Sequence, residues 1–271
     1  MSKTSYWVHN LDPFLFQFTE NFGVRYYGLA YAFGFLVGMW LLHLICKHGK
    51  VALTPEEQSL TITAMMIGVL LGGRMGYMLF YALNETLQRP WVIFQIWKGG
   101  MASHGGFIGV LVACWWVARK LNIPLLKLGD VLCPLVSPGI FLGRIANFIN
   151  GELWGKVSDV SWAVIFPQSV PIGTPLEQIP PRHPSQLYEA GLEGVLLLLY
   201  SQWRLWKTDV LASPGRLTGE FLVIYAVVRI FGEQFREPDA PLIMDLSRGS
   251  FYSIFLLIAG TFLVFRARKI T

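Results

Sequence analysis

Apolar residues in this chain come in long blocks separated by short polar punctuation. The blocks recur at about residues 24–46, 60–83, 101–118, 128–149, 187–203, 217–235 and 250–265. A helix rises 1.5 Å per residue, so about 20 apolar residues cover the ~30 Å of hydrocarbon in a bilayer. Blocks of this length predict membrane-crossing helices, and seven crossings put the termini on opposite sides. The fourth block is the least regular, because Asp130, Pro134 and Pro138 fall within it and proline removes a backbone donor and kinks a helix. A bundle tolerates such breaks when neighbours satisfy the freed carbonyls. The pattern predicts an all-α polytopic membrane protein, a bundle of about seven transmembrane helices forming a single membrane domain over 1–271.

Two stretches depart from the block pattern. Residues 1–23 place Phe14, Phe16 and Phe18 beside Trp7, the composition of an N-terminal interfacial arm lying on the outer surface. Residues 150–186 carry Pro167, Pro171, Pro175, Pro180, Pro181 and Pro184. They predict a small outer-face (periplasmic) domain inserted between the fourth and fifth helices, with "SWAVIF" at 161–166 as a short strand or hairpin.

Composition strengthens this picture. The chain is 54% hydrophobic and 14% charged, with mean hydropathy +0.48, outside the range of an ordinary soluble domain. Its net charge of +5 would suggest nucleic acid in a soluble protein, but here the basic residues lie between apolar blocks and act as topology signals, which excludes that class. Lys47, Lys50, Arg119, Lys120, Lys127, Arg204, Lys207, Arg216, Arg266, Arg268 and Lys269 mark one side as cytoplasmic. The smaller set Lys3, Arg25, Arg89, Lys98, Lys156, Arg182, Arg236 and Arg248 marks the other. The N-terminus is therefore expected outside. Its single lysine, interrupted "FLFQF" run and Glu20 do not make a cleaved signal peptide, so the first block should serve as an anchor. Cys46, Cys114 and Cys133 lack metal or disulfide spacing, and no metal is expected.

The chemistry sits in residues that the bilayer should exclude. Arg74, Arg144 and Arg229 fall inside apolar blocks, near their outer ends. A central arginine costs about 2.5–3.5 kcal/mol on insertion scales, so each needs a partner or a wet cavity. Helical spacing puts Tyr225, Arg229 and Glu233 on one face, Arg74, Tyr77 and Tyr81 on another, and Arg144 one turn from Asn147, with Glu152 near the helix exit. His104, followed by two glycines at the head of the third block, has the pKa range of a base near neutrality. Plainer readings stand beside these: tyrosine stripes as packing, Arg229–Glu233 as an intrahelical ion pair, and His104 as a carbonyl ligand in a tight helix crossing. The three arginines outnumber Glu233 and Glu152, which leaves a cavity suited to an anion such as a lipid phosphate. Glu189 and Glu193 read as lying near the outer surface, Glu189 at most as a partner for a basic residue. "LVAC" at 111–114 imitates a lipoprotein box but lies mid-chain inside a block.

"GRIANFINGELWG" at 143–155 resembles the signature of prolipoprotein diacylglyceryl transferases. "RYYGLAYAFGF" at 25–35, "GGRMGYMLFY" at 72–81, "MASHGG" at 101–106, "RHPSQLYE" at 182–189 and "RIFGEQFREPD" at 229–239 resemble further blocks of that family in the same order. The resemblance implies a seven-span bacterial inner-membrane enzyme with a periplasmic N-terminus and cytoplasmic C-terminus. It would transfer the diacylglyceryl group of phosphatidylglycerol to the lipobox cysteine thiol of a prolipoprotein signal peptide. The product is a thioether, glycerol phosphate is released, and no cofactor is involved. The family's essential positions fall on Tyr27, His104, Arg144, Asn147, Glu152, Arg229 and Glu233, with Gly155 closing the signature. On that reading Arg144 and Arg229 bind the headgroup phosphate, His104 takes the thiol proton, Glu233 orients Arg229, and Asn147 and Tyr27 hold ester or glycerol oxygens. Arg74, Tyr77, Tyr81 and Tyr225 join them as substrate-binding candidates from the polar stripes. The chain diverges from the family in the arm and the 156–181 loop. The rivals are an arginine-lined lipid or anion transporter, against which no internal repeat relates two halves, and a receptor for an anionic lipid, which leaves His104 idle.

Overall fold

A computed structural model describes residues 6–19, 22–95 and 99–268. Lys3, Glu20, Lys98 and Lys269 lie outside this set. The chain is mostly helical. In order it forms β1 (Trp7–Val8), β2 (Phe14–Thr19), β3 (Phe22–Arg25), α1 (Tyr26–Lys47), α2 (Pro55–Phe80), α3 (Leu83–Gln88), α4 (Ser103–Lys120), α5 (Leu125–Ile149) and β4 (Val164–Ile165). Then α6 (Ser185–Glu189) runs through a π-helical segment, Ala190–Leu196, into α7 (Leu197–Lys207), followed by α8 (Arg216–Gly232) and α9 (Arg248–Arg266). Helix is found at every apolar block, and among the described residues four helices, α1, α2, α5 and α9, are long and apolar enough to cross a membrane. The molecule is a multi-pass membrane protein. The chain divides into two compact units, one of residues 1–38 with 133–271 and one of residues 39–132.

In the second unit, α2 opens on a capping box. Glu57 N donates to Thr54 Oγ1 at 3.2 Å, and Thr54 N donates to the Glu57 carboxylate at 2.8 Å, satisfying two donors that a helix start leaves over. Pro55 in the first turn needs no donor of its own. The helix then lays Gly68, Gly72 and Gly76 against Gly105 and Gly109 of α4. A Cβ on Gly76 would stand 2.6 Å from the Gly105 Cα, and one on Gly105 would stand 2.7 Å from the Gly76 Cα. Lipid offers no hydrophobic reward for helix association, so backbones that touch through small residues supply the packing instead. The two glycines after His104 therefore face another helix.

In the first unit, α5 passes through Pro134 and Pro138 without interruption. The irregular fourth block is one helix. Helices α8 and α9 cross at Gly219 and Gly260, where a Cβ on either would lie within 2.8 Å of the other's carbonyl oxygen. The "SWAVIF" stretch does contain a strand, but it makes no hairpin of its own. Its β4 pairs in parallel with β1, Trp7 opposite Val164. His9 extends that junction: its N–H donates to Ile165 O at 2.8 Å, and its buried ring sits 2.7 Å from the Phe148 carbonyl. The arm itself is sheet, with β2 and β3 pairing antiparallel. Phenylalanine at every second position favours a strand, and the hairpin leaves Leu15, Phe16 and Phe18 exposed while Arg25 lies over the Phe14 ring at 4.5 Å.

Candidate active site

The signature stretch is the end of α5 and the turn after it. Gly151 and Leu153 both adopt left-handed backbone, at φ +64° and +57°. A non-glycine residue there stores about 1–3 kcal/mol of strain and persists only when its surroundings enforce it. The enforcing groups come from α6: Ser185 Oγ donates to Leu153 O at 3.0 Å and Gln186 Nε2 donates to Glu152 O at 2.6 Å, both from fully buried residues. Gly155 is threaded between two other segments. Its N–H donates to His183 O at 2.9 Å, and a Cβ there would meet the His183 and Phe235 carbonyl oxygens at 2.5 Å. Only glycine fits.

The turn folds Glu152 back toward the helix that precedes it. Its carboxylate accepts from Asn147 Nδ2 at 2.7 Å and from Asn150 Nδ2 at 3.4 Å. Tyr27, at the start of α1, has Asn147 and Glu152 as electrostatic neighbours and its ring lies 5.4 Å from that of Tyr31. Tyr27, Asn147 and Glu152 thus form one polar cluster.

One turn back along α5, Arg144 enters a second cluster, an ion lattice. Arg144 donates from Nε and Nη2 to one oxygen of Glu193, at 3.2 and 2.8 Å, and its Nη1 makes an ion pair with Glu189 at 3.0 Å. Arg229 of α8 uses Nη1 for the other oxygen of Glu193 at 2.9 Å and for Glu189 at 2.8 Å, and Nη2 for Glu233, four residues on. Arg236 adds a further contact to Glu189 at 3.2 Å and reaches Asp239 at 2.8 Å. Tyr225, one turn before Arg229, has Glu193, Arg229 and Arg144 as its electrostatic neighbours. The Glu233 side leans on the first turn of α9, where a Cβ on Gly249 would come 2.7 Å from the Glu233 carboxyl carbon.

This lattice corrects one sequence reading: the arginines do not outnumber their carboxylates, because Arg144, Arg229 and Arg236 meet Glu189, Glu193 and Glu233. Glu189 is the partner for basic residues that the sequence allows, and it and Glu193 are 1% and 0% exposed. Burial explains the pairing, since an ionised group out of water persists only when paired and hydrogen-bonded. Of the three guanidinium side chains, that of Arg144 is the most exposed, at 16%.

Arg74, in the second unit, is buried differently. Its guanidinium donates to the backbone carbonyls of Ile93 at 2.9 Å, Gly100 and Gln95 at 3.2 Å each, and also Val92 and Gly99. Among the described residues no carboxylate pairs with it. The arginine ties Val92, Ile93 and Gln95 to Gly99 and Gly100, and Ala102 N donating to Gly73 O at 2.9 Å continues that closure to the foot of α4. Tyr77 stacks on Tyr81 at 5.9 Å and flanks Gly100, while half-buried His104 stands at the second position of α4.

Residues 13–266 match the family described as prolipoprotein diacylglyceryl transferase. The chain belongs to this family. Named relatives agree along nearly their whole length. A phosphatidylglycerol–prolipoprotein diacylglyceryl transferase of Legionella pneumophila (strain Corby) is 42% identical over 260 residues, covering 94% of this chain and 96% of its own. The proteins of that name from Ruegeria pomeroyi and Aeromonas hydrophila are 39% and 40% identical, over 96% and 99% of this chain and 97% and 95% of theirs. Of the positions singled out by the transferase resemblance, the structure joins Tyr27, Asn147 and Glu152 in one cluster and Arg144, Arg229 and Glu233 in the other. Within the first unit, sequence reasoning gives Glu193 no role, takes Glu189 only as a partner for a basic residue and counts Arg236 only as an outer-side charge. The available signal was charge balance: two carboxylates four residues apart in an apolar block have to be matched by cations elsewhere in the fold.

Proposed function

We propose that this chain is a phosphatidylglycerol–prolipoprotein diacylglyceryl transferase of the bacterial inner membrane, with seven crossings, an outer N-terminus and the 150–186 insertion on the periplasmic face. Full-length kinship with the named transferases supports the activity. The exposed aromatic hairpin β2–β3 supports an arm that rests in the lipid interface.

In the reaction a lipobox cysteine thiolate attacks the glycerol carbon that bears the phosphate ester of phosphatidylglycerol. A C–S bond forms, the C–O bond to phosphate breaks with its electron pair, and glycerol phosphate leaves. A thiol of ordinary pKa near 8.5 must first lose its proton, a task we assign to His104. The leaving phosphate gathers charge as the C–O bond lengthens, and fixed cations stabilise it most when they need no reorganisation. We assign that role to Arg144 and Arg229, held in place by carboxylates. Tyr27 and Asn147 hold ester or glycerol oxygens, Tyr225 borders the arginine pair, and Glu152 and Gly155 fix the signature turn. Arg74, a substrate-binding candidate by its polar stripe, serves instead as a clasp, because backbone carbonyls take up its donors.

The observation that carries the mechanism is the convergence of two guanidiniums, one from the signature helix and one from α8, on the single carboxylate of Glu193. The test is purified protein with phosphatidylglycerol and a lipobox peptide, the peptide mass followed in time. The expected result is a gain of one diacylglyceryl unit on the cysteine. An unchanged peptide, with lipid movement across vesicles instead, would transfer the arginines to a transporter. For His104, the Gln variant should bind phosphatidylglycerol normally, turn over slowly and recover partly as pH rises through the thiol pKa. A stable variant with no such recovery would remove His104 from proton transfer.

A further inference from the structure

Glu189 and Glu193 are the most deeply buried carboxylates of the lattice, and neither serves a single partner. Glu193 gives one oxygen to Arg144 and the other to Arg229, and Glu189 does the same while also meeting Arg236. Arg144 is thereby fixed at three of its nitrogens and Arg229 at Nη1, its Nη2 being taken by Glu233. A guanidinium on its own long side chain has rotamer entropy to lose when it settles on an anion, and two guanidiniums drawn to one phosphate also repel each other. Two carboxylates spanning them remove both costs before substrate arrives. Glu193 lies in the π-helical segment that begins immediately after Glu189, a departure from α geometry that is frequent at functional sites.

From this geometry we propose that Glu193, seconded by Glu189, is a positioning residue of the transfer reaction: it sets the spacing and orientation of Arg144 and Arg229 and touches no substrate itself. The proposal rests on the reading that those arginines bind the headgroup phosphate. Both Glu193 oxygens are already engaged, so its contribution passes through the arginines.

The experiment is a double-mutant cycle on the full chain in detergent with phosphatidylglycerol and a lipobox peptide. Glu193→Gln keeps shape and loses charge. It should lower kcat about tenfold or more while the KM for phosphatidylglycerol moves much less, and in an Arg144→Lys background the same change should cost less than about threefold, because coupled residues are not additive. Glu220→Gln is the control. Glu220 pairs Arg204 and Arg216 at 2.7 Å away from the signature turn, so it should lower the melting temperature without altering the kcat of folded enzyme. Should Glu193→Gln fail to fold, Glu193→Asp retains the charge but shortens the reach and should show the same kcat loss. Equal fold-losses in both backgrounds, or full kcat in Glu193→Asp, would overturn the proposal. Failure of the underlying reading shows itself separately, as a wild-type enzyme that leaves the peptide mass unchanged.

Discussion

Arg144 and Arg74 look alike in the sequence, each near the C-terminal end of a long apolar helix, yet their surroundings differ completely. Arg144 meets two carboxylates that also hold Arg229. Arg74 meets backbone carbonyls of one loop. A buried guanidinium needs its donors satisfied and its charge matched, and either solution meets the first demand. Carboxylates add full counter-charges that link several arginines into one lattice, whereas carbonyl dipoles bind only the loop that carries them. The comparison sets the proposed phosphate site apart from a clasp on backbone carbonyls.

The most severe way to break the lattice is to remove Arg229. Arg229→Met would leave Glu189, Glu193 and Glu233 with a common partner missing, and breaking a buried pair costs about 3–5 kcal/mol. Thermal unfolding in detergent should show a large drop in melting temperature, together with loss of transfer. A near-wild-type melting temperature would mean that the carboxylates do not depend on it. Gly155→Ala acts on the turn beside the lattice. Its methyl group would press on two carbonyl oxygens at 2.5 Å, and overpacking of this kind costs about 1–3 kcal/mol. Unchanged stability of that variant would show that the segments around 183 and 235 can part.

The smallest effect is a pH dependence outside the membrane. Burial holds both His9 and His183 below the ordinary imidazole pKa, and His183 Nδ1 also lies 3.1 Å from Tyr188 Oη, which accepts from the Trp162 indole N–H. A depressed histidine pKa means that the unfolded chain takes the proton first, so stability is intact above about pH 6.5 and declines as pH falls through that value. Melting temperatures measured from pH 7.5 downward should fall, and His183→Asn should flatten the slope. A slope unaltered by that substitution would assign the dependence to other groups.

The helices were legible because length and apolarity alone mark them, and even proline-bearing α5 followed its block. The signature turn was legible as a motif. Its geometry was not, since the left-handed Leu153 is imposed by Ser185 and Gln186, more than thirty residues along the chain. Counting charges within and beside the blocks gives an arginine excess because the count leaves out Glu189 and Glu193, which read as lying near the outer surface. Which way a helix face turns is a property of the folded bundle, and only the fold shows that they meet Arg144 and Arg229. The arm's alternating phenylalanines carried a strand signal, but its pairing of β1 with β4 joins residues far apart in sequence and leaves no local trace.

The most direct test sets Arg144→Lys against Arg74→Lys. Lysine keeps the charge and loses the planar, multi-donor fork. Single-turnover transfer from phosphatidylglycerol to a lipobox peptide, normalised to folded protein from the same melting curves, separates the two sites. Arg144→Lys should hold its fold and lose about 100-fold or more in the transfer step, roughly the scale of losing one charge-stabilising donor set, while Arg74→Lys should melt earlier but transfer at close to the wild-type rate per folded molecule. The reverse pattern, with normal transfer by folded Arg144→Lys and a folded but inactive Arg74→Lys, would contradict the account.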